Sequence, residues 1–127
     1  MSDQAKKILV IEDDPVGLRM IGDFLTAKGY HVISATNGVD GVEYARMVEP
    51  DLVLCDVLLP LKSGFEVCFD LKRPESKVRA PVVLMSAVLQ GKRDQGYARD
   101  ELRADAYLVK PFQMSAMLAS IERLLPA

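Results

Sequence analysis

Four short apolar segments, each rich in valine, isoleucine and leucine, constrain what this chain can fold into. They span residues 8–11, 52–55, 82–85 and 107–109. Segments this short and this apolar are typical of strands buried on both faces, which is the pattern of a parallel sheet. Each segment runs directly into polar residues. Because parallel strands deliver their C-terminal ends to one edge of the sheet, we expect these polar residues to meet there.

The segments between these strands have helical patterns, so that strands and helices alternate along the chain. The predicted strands are 7–12, 31–35, 52–55, 82–85 and 106–109, and the predicted helices cover about 15–28, 39–48, 64–73, 90–103 and 115–125. Five such repeats imply a parallel sheet with helices on both faces. The predicted fold class is therefore α/β, a flavodoxin-like doubly wound sheet of five parallel strands in the order 2-1-3-4-5 with five helices.

Length and composition restrict the class of protein. The chain has 127 residues, half of them hydrophobic, which fits one domain over residues 1–127 with no second domain. The net charge of -2 gives no support for direct nucleic-acid binding, and no apolar stretch approaches the ~20 residues that span a membrane. The first seven residues are polar and lack an apolar signal sequence. We therefore expect a cytoplasmic protein that contacts neither nucleic acid nor membrane.

The two cysteines and the single histidine lack the spacing of a metal site. Cys55 lies in an apolar strand and Cys68 in a helical pattern, so we expect both to be reduced and buried. His31 follows a Gly-Tyr turn at the start of a strand, and we expect it at the surface.

Three carboxylates follow the first and third predicted strands. Glu12 and Asp13 come after strand one, and Asp56 comes after strand three. In doubly wound sheets ligands bind at the carboxyl ends of the strands where the strand order reverses, here between strands one and three. Neighbouring strands lie ~4.8 Å apart, so these like charges repel one another unless a cation or protons intervene. Mg²⁺ prefers a few carboxylates with waters and phosphate oxygens, so the sequence predicts a Mg²⁺ site.

Other polar residues at strand ends complete a site suited to phosphoryl transfer. Asp56 can act as a carboxylate nucleophile toward phosphorus and form an aspartyl phosphate. Lys110 can pair with Asp56 or with a phosphoryl oxygen, and Ser86 offers a hydroxyl donor. Each of these residues alone would be ordinary, and Asp14 before Pro15 fits a helix cap. The prediction depends on four strand ends that carry complementary groups together.

These residues resemble the site of a response-regulator receiver domain of two-component signalling, and the resemblance covers nearly the whole chain. The matching motifs are ILVIEDD (8–14), DLVLCDVLLP (51–60) followed by Gly64, PVVLMSA (81–87) and AYLVKPF (106–112). The spacings match as well, with 43 residues from Asp13 to Asp56 and 30 from Asp56 to Ser86. The resemblance implies a phosphorylation-activated signalling switch. Its phosphoryl donor would be a sensor histidine kinase or a phosphotransfer protein, and it would catalyse only its own phosphorylation and dephosphorylation.

The resemblance also implies a role for each residue of the acidic cluster. Asp56 corresponds to the phosphoacceptor, which also contacts Mg²⁺. Asp13 corresponds to a direct Mg²⁺ ligand, and Glu12 assists through water. The backbone carbonyl of Leu58 corresponds to a further protein ligand.

Residues of strands four and five have implied roles in switching. Ser86 stands where the family has its switch serine or threonine, and Lys110 stands where the family has its lysine. A cis peptide bond between Lys110 and Pro111 is usual in the family and would aim the lysine at the site. Tyr107 stands where the family has an aromatic residue that turns inward on activation, although an aromatic residue in a short strand also fits plain packing. The implied output surface is formed by helix four, strand five and helix five.

The chain departs from the family pattern near this output surface. Leu61-Lys62-Ser63 replaces the Gly-Met-Asp that often follows the loop proline, and Arg103-Ala104-Asp105 replaces Gly-Ala-Asp. The stretch from Ser86 to Lys110 is also slightly longer than is common. These departures leave open the downstream target and the choice between a monomer and a weak homodimer.

Two apolar residues flank the implied phosphorylation site. Leu58 and Val88 lie two residues beyond Asp56 and Ser86. Neither side chain can position a hydrolytic water, so we expect the phosphoryl group to persist longer than in relatives with polar residues there.

Three other functions fit parts of the pattern. A phosphorylation-independent pseudo-receiver would be a protein-interaction module, but such proteins usually lose site residues. An aspartate-nucleophile phosphatase of the haloacid-dehalogenase type carries Asp-x-Asp after strand one, whereas Asp56 follows strand three and Leu58 stands two positions on. A flavodoxin-like nucleotide or flavin binder needs a phosphate-cradling loop after strand one, whereas Glu12-Asp13-Asp14 repels phosphate unless metal is bound.

Overall fold

Five parallel strands form one sheet in the order β2-β1-β3-β4-β5. They are β1 (Lys7–Ile11), β2 (His31–Ala35), β3 (Leu52–Asp56), β4 (Val82–Ser86) and β5 (Ala106–Val109). The computed structural model describes residues 5–87, 96–97 and 103–125. The strand order confirms the predicted flavodoxin-like topology. β1 ends one residue earlier than predicted, and β3 and β4 each end one residue later, so that Asp56 and Ser86 are the last residues of their strands.

Helices connect the strands. They are α1 (Pro15–Ala27), α2 (Gly38–Val48), α3 (Gly64–Lys72) and the C-terminal helix (Met114–Leu124), with a 3₁₀ turn at Pro74–Ser76. The helix predicted over 90–103 lies outside the described residues except at 96–97 and 103. Within the described part of the chain, no helix has the length and apolar character needed to cross a membrane.

Side-chain caps fix where the first three helices begin. Asp14 Oδ2 accepts a hydrogen bond from the Gly17 amide at 3.1 Å, which confirms that Asp14 caps α1. Asn37 Oδ1 accepts one from the Asp40 amide at 2.8 Å at the start of α2. Ser63 forms a reciprocal capping box with Glu66 at the start of α3. Each cap therefore orders a loop that follows a strand.

Two hydrophobic clusters lie on the two faces of the sheet. Alternate residues of β1 point to opposite faces. Leu9 and Ile11 belong to a cluster with residues of α2 and α3, whereas Ile8 and Val10 belong to a cluster with residues of α1 and the C-terminal helix. Every residue of β3 and β4 is buried, as expected for central strands of a parallel sheet. The sheet edge that carries the site is therefore held by packing on both sides.

The cysteines and the histidine lie where the sequence predicts. Cys55 and Cys68 are buried free thiols in the same cluster, and His31 is exposed. Burial raises the pKa of the Cys55 thiol well above its usual range and raises the pKa of Cys68 to about 12. Both cysteines therefore stay protonated at neutral pH and serve as small apolar core residues.

Two positions where the resembled family has glycine carry larger residues with a left-handed backbone. Leu61 has a φ of 70° and Arg103 has a φ of 63°. We expect Leu61→Gly and Arg103→Gly each to raise the free energy of unfolding by about 0.5–1 kcal/mol, because glycine adopts this φ without the clash of a Cβ atom. The Leu61 side chain is 78% exposed, so its removal loses little buried area.

Urea unfolding of these two variants measures that strain. Glu43→Gly, at an exposed position within α2, is the control and should lower the free energy of unfolding by about 1 kcal/mol. If Leu61→Gly lowers the free energy of unfolding as much as Glu43→Gly does, the left-handed backbone at Leu61 carries no strain.

Candidate functional site

The carboxylates predicted from the sequence do meet at one edge of the sheet. Glu12 and Asp13 follow β1, and Asp56 ends the neighbouring strand β3. Each contributes an oxygen that lies within 4.8 Å of the oxygens of the other two. Glu12 and Asp56 are buried, whereas Asp13 is exposed. The cluster therefore has a buried base and one side open to solvent.

Lys110 supplies the positive charge at this cluster. It follows β5, which lies three positions from β1 in the sheet, yet its Nζ is 2.9 Å from Glu12 Oε1 and 3.5 Å from Asp56 Oδ1. Burial alone would lower the pKa of Lys110, but the hydrogen bond to Glu12 and the charge of Asp56 outweigh it and raise the pKa. Lys110 is therefore charged at neutral pH. The Lys110–Pro111 peptide bond is cis, as the resemblance implies.

Asp56 is only 6% exposed and has an unusual charge balance. Its Oδ1 accepts a hydrogen bond from the Val57 amide at 3.0 Å. Burial and the nearby Glu12 carboxylate raise the pKa of Asp56 to about 6, although Lys110 acts in the opposite direction. Two carboxylates and one ammonium leave a net negative charge in a partly desolvated site. This is an environment that an added cation would stabilise.

Glu12 is held by two hydrogen bonds from opposite directions. Its Oε1 accepts from Lys110 Nζ, and its Oε2 accepts from the Asp14 amide at 3.2 Å. The second bond links the buried carboxylate to the residue that caps α1. Both carboxylate oxygens are therefore oriented by the protein before any ligand binds.

The remaining predicted site residues lie around this cluster. Ser86 is buried at the end of β4, and its carbonyl accepts the Lys110 amide at 3.3 Å. Asp56 pairs in the sheet with the residue before Ser86, so that the two strand ends are adjacent. Tyr107 is half-buried on β5 and packs against the cluster beneath α2 and α3. The Leu58 side chain is 63% exposed, and Val88 lies outside the described residues.

An apolar groove beside the site was not predicted from the sequence. It has a volume of about 350 Å³ and runs between α1 and the start of the C-terminal helix, with Met20, Phe112 and Met114 on its walls and Glu12 and Lys110 at one end. The helical pattern of α1 groups Met20 with buried residues, but Met20 is exposed. The position of Met20 at the border of the apolar face of α1 is the one feature of the sequence that could have indicated this groove.

Comparison with known protein families decides what kind of domain this is. The sequence profile described as "Response regulator receiver domain" matches residues 8–122, which is nearly all of the described fold. The chain belongs to this family. Receiver domains serve as signalling switches in two-component systems and are not classical enzymes. Receiver domains bind Mg²⁺ at an acidic pocket, and Glu12, Asp13 and Asp56 form a candidate acidic site in this chain.

Individual relatives of this receiver domain differ in length. The chain is 38% identical over 120 residues to the DNA-binding dual master transcriptional regulator RpaA of Synechocystis, covering 94% of this chain and 48% of RpaA. It is 31% identical over 117 residues to the polar-differentiation response regulator DivK of Brucella anthropi, covering 92% of this chain and 94% of DivK. The chain thus spans about half the length of several curated relatives that it matches.

Solved structures share the fold of this receiver domain. The signal receiver domain of a signal transduction histidine kinase from Syntrophus aciditrophicus is 31% identical, with a TM-score of 0.84 over 95% of this chain and 90% of that one. The receiver domain of sensor histidine kinase PA1611 from Pseudomonas aeruginosa is 26% identical, with a TM-score of 0.83 over 98% of this chain and 100% of that one. The PA1611 structure has a magnesium ion coordinated in its active site cleft.

Proposed function

We propose that residues 1–127 form a single receiver domain that accepts a phosphoryl group on Asp56 and thereby changes its affinity for a downstream protein. The observation that carries this proposal is the meeting of three carboxylate oxygens within 4.8 Å, with Lys110 Nζ 3.5 Å from Asp56. A nucleophile, a cation and carboxylates that can hold a metal ion, all at one edge, are what phosphoryl transfer to a carboxylate requires.

The chemistry of transfer follows from the groups at this edge. A carboxylate oxygen of Asp56 attacks phosphorus and forms an O–P bond, while the bond from phosphorus to the donor breaks and its electron pair leaves with the donor. The donor nitrogen of a phosphohistidine then takes a proton from water. Lys110 pairs with a phosphoryl oxygen, and the Ser86 hydroxyl donates to another. Asp56 must be ionised to attack, and a cation bound beside it would favour this form.

The donor atoms at this edge fit Mg²⁺. Carboxylate oxygens are its preferred protein ligands, and the exposed side of the cluster leaves space for water and phosphoryl oxygens. We assign Asp13, Asp56 and the Leu58 carbonyl as direct ligands, with Glu12 acting through water. When bound, Mg²⁺ would neutralise charge on the transferring phosphoryl oxygens. The magnesium ion in the related PA1611 domain supports this assignment.

A titration with beryllofluoride, which mimics a phosphoryl group, tests the site without turnover. Calorimetry with Mg²⁺ present should detect binding to the wild type and to Asp23→Asn, a control at an exposed acidic residue of α1. Asp13→Asn should weaken binding at least tenfold, because it removes a direct ligand. Binding that is unchanged in Asp13→Asn, or absent from the wild type, contradicts the proposal. Absence from the wild type would instead favour the pseudo-receiver function.

The phosphoryl donor that we propose is a sensor histidine kinase or a phosphotransfer protein. Receiver domains as a family work with such partners. The exposed apolar side chains of Val16 and Met20 on α1, next to the site, supply a surface on which a donor protein can pack while Asp56 is in reach. We place the domain in the cytoplasm, with no direct contact to nucleic acid or membrane.

The output that we propose depends on Ser86, Tyr107 and the face around β5. Phosphorylation draws Ser86 and Lys110 to the new oxygens, and Tyr107 repacks on β5. The half-buried position of Tyr107 supports such a role, because its side chain borders both the core and solvent. The surface of β5, the C-terminal helix and residues 90–103 would bind the downstream protein.

Leu58→Asn is expected to shorten the lifetime of the phosphoryl group several-fold. An exposed amide two residues beyond Asp56 can hydrogen-bond and orient an attacking water, which leucine cannot do. The decay of phosphorylated protein after donor removal, followed by intact mass, measures this lifetime. Met47→Asn, at an exposed apolar residue of α2, is the matched control. Equal lifetimes in the wild type and Leu58→Asn would rule out this role for Leu58.

A further inference from the structure

The exposed face of α3 carries an aromatic side chain between two opposite charges. Phe69 is 53% exposed, although it is a large hydrophobic residue. Glu66 lies three residues before it on the same helical face, and Arg73 is the residue that follows the end of α3. The Arg73 guanidinium lies 5.8 Å from the centre of the Phe69 ring, which places its charge on this face. The face is therefore acidic near the start of α3 and basic just past its end.

A groove runs along this face and can receive an aromatic side chain. It has a volume of about 340 Å³ and is lined by Lys62, Phe65, Glu66, Phe69, Asp70 and Tyr97. The rings of Phe65 and Tyr97 meet edge to face, with centroids 5.5 Å apart, and Tyr97 is 47% exposed. Lys62 and Asp70 in its lining form an ion pair. The groove therefore offers aromatic walls, which prefer an aromatic partner.

We propose that this face binds the same face of a second copy of the chain, with the two α3 helices antiparallel. A two-fold axis near Phe69 brings Glu66 of each protomer opposite Arg73 of its partner, because the two charges lie on either side of Phe69. Each Phe69 then packs against the Phe69 and Asp70 end of the partner's groove. An isologous interface requires a surface that is complementary to itself, and this arrangement of charges satisfies that requirement. The residues of this interface are distinct from the acidic cluster at Asp56.

The dimer is expected to be weak. α3 has nine residues, and one such helix pair buries less than the roughly 1,200 Å² of a stable interface. The pairing charges are exposed, and Arg73 also pairs with Glu75 in the same chain at 3.1 Å. We therefore expect a dissociation constant in the range of about 10 μM to 1 mM.

Sedimentation equilibrium of two charge-reversed variants tests the pairing. Arg73→Glu places two acidic residues opposite each other at both contacts, and Glu66→Arg places two basic residues there. Each variant alone should dimerise at least tenfold more weakly than the wild type. An equal mixture of the two should form a heterodimer at least as tightly as the wild type, because both contacts then join opposite charges.

A third variant, a control variant and a control measurement keep the result interpretable. Glu66→Arg removes part of the α3 capping box, so Glu66→Gln, whose amide oxygen can still cap, should weaken dimerisation several-fold without loss of fold. Met47→Glu, on α2, should dimerise like the wild type. All variants should still accept a phosphoryl group, which separates this inference from the proposed function.

Three outcomes would overturn the proposed dimer. The wild type could remain monomeric up to about 1 mM, the single variants could associate like the wild type, or the mixture could fail to restore association. If the wild type stays monomeric, the exposed aromatic face of α3 would bind a different protein instead of a second copy.

Discussion

An Asp56→Asn variant is expected to be more stable than the wild type at neutral pH and yet to take up no phosphoryl group. Asparagine has nearly the shape of aspartate, and its amide oxygen can keep the hydrogen bond from the Val57 amide. It removes a charge that is buried beside the Glu12 carboxylate. It also removes the nucleophile, so uptake should fall to background. Stability and function are expected to move in opposite directions.

The pH dependence of this stability difference follows from the pKa of Asp56. Folding raises the pKa from an ordinary value of about 4 to about 6, chiefly through burial and next through Glu12. The folded state therefore binds this proton more tightly than the unfolded state, and ionisation costs stability as the pH rises from 4 through 6. The variant and the wild type should be equally stable below about pH 4. Above about pH 6 the variant should be more stable by about 1–3 kcal/mol.

Urea unfolding across this pH range, in the presence of a chelator, measures the difference. Uptake is followed by intact mass after reaction with acetyl phosphate and Mg²⁺. Asp23→Asn, at an exposed residue of α1, should match the wild type in both measurements. If Asp56→Asn is less stable than the wild type at pH 7, the charge balance described for the site is wrong. If the intact mass of the variant increases by one phosphoryl group, the phosphoacceptor is a different residue.

Gly64→Ala is expected to lower the free energy of unfolding by about 3 kcal/mol or more. A Cβ atom at Gly64 would lie 2.2 Å from the backbone oxygen of Asp56 and 2.7 Å from Val57 Cα. These are backbone atoms at the end of β3, so no side chain can move aside to make room. The Gly64 amide also donates to the Val57 carbonyl at 2.8 Å, which ties α3 to this turn. The substitution should therefore displace Asp56 and slow phosphoryl uptake.

Gly22→Ala is the matched control for this prediction. Gly22 lies within α1, and its added Cβ atom would be 3.9 Å from its nearest neighbour, a methyl carbon of Val32. Alanine is the better helix former, so this variant should gain about 0.5–1 kcal/mol. Thermal and urea unfolding compare the two variants directly. A Gly64→Ala protein as stable as the wild type would mean that the turn after β3 is not closely packed.

The sheet and the acidic site could be predicted because they depend on local sequence signals. Short apolar segments identified the strands, and the residues that follow them became the site by the geometry of a parallel sheet. The ends of β1, β3 and β4 were each wrong by one residue. Hydrogen bonding extends β3 and β4 into polar residues that an apolar pattern does not count, whereas β1 ends before the polar Glu12 that the prediction included. The roles of Ser86, Tyr107 and Leu58 remain predictions.

Other features depend on contacts that no local pattern encodes. The resemblance showed that Leu61 and Arg103 stand at glycine positions, but only the backbone shows that both keep a left-handed conformation. The groove beside Lys110 arises where α1 meets the start of the C-terminal helix, far apart in sequence. The aromatic face of α3 similarly needs Tyr97 to complete it. Such surfaces come from tertiary packing, which sequence periodicity does not specify.

The most direct test of the central claim is to locate the phosphoryl group after reaction of the wild-type chain with acetyl phosphate. Reduction of the acyl phosphate with borohydride, followed by fragment mass spectrometry, identifies the modified residue. The account predicts a single modified residue, Asp56, which forms only when Mg²⁺ is present and is lost with a chelator. Modification of a different residue, or uptake at Asp56 that a chelator does not reduce, would contradict it.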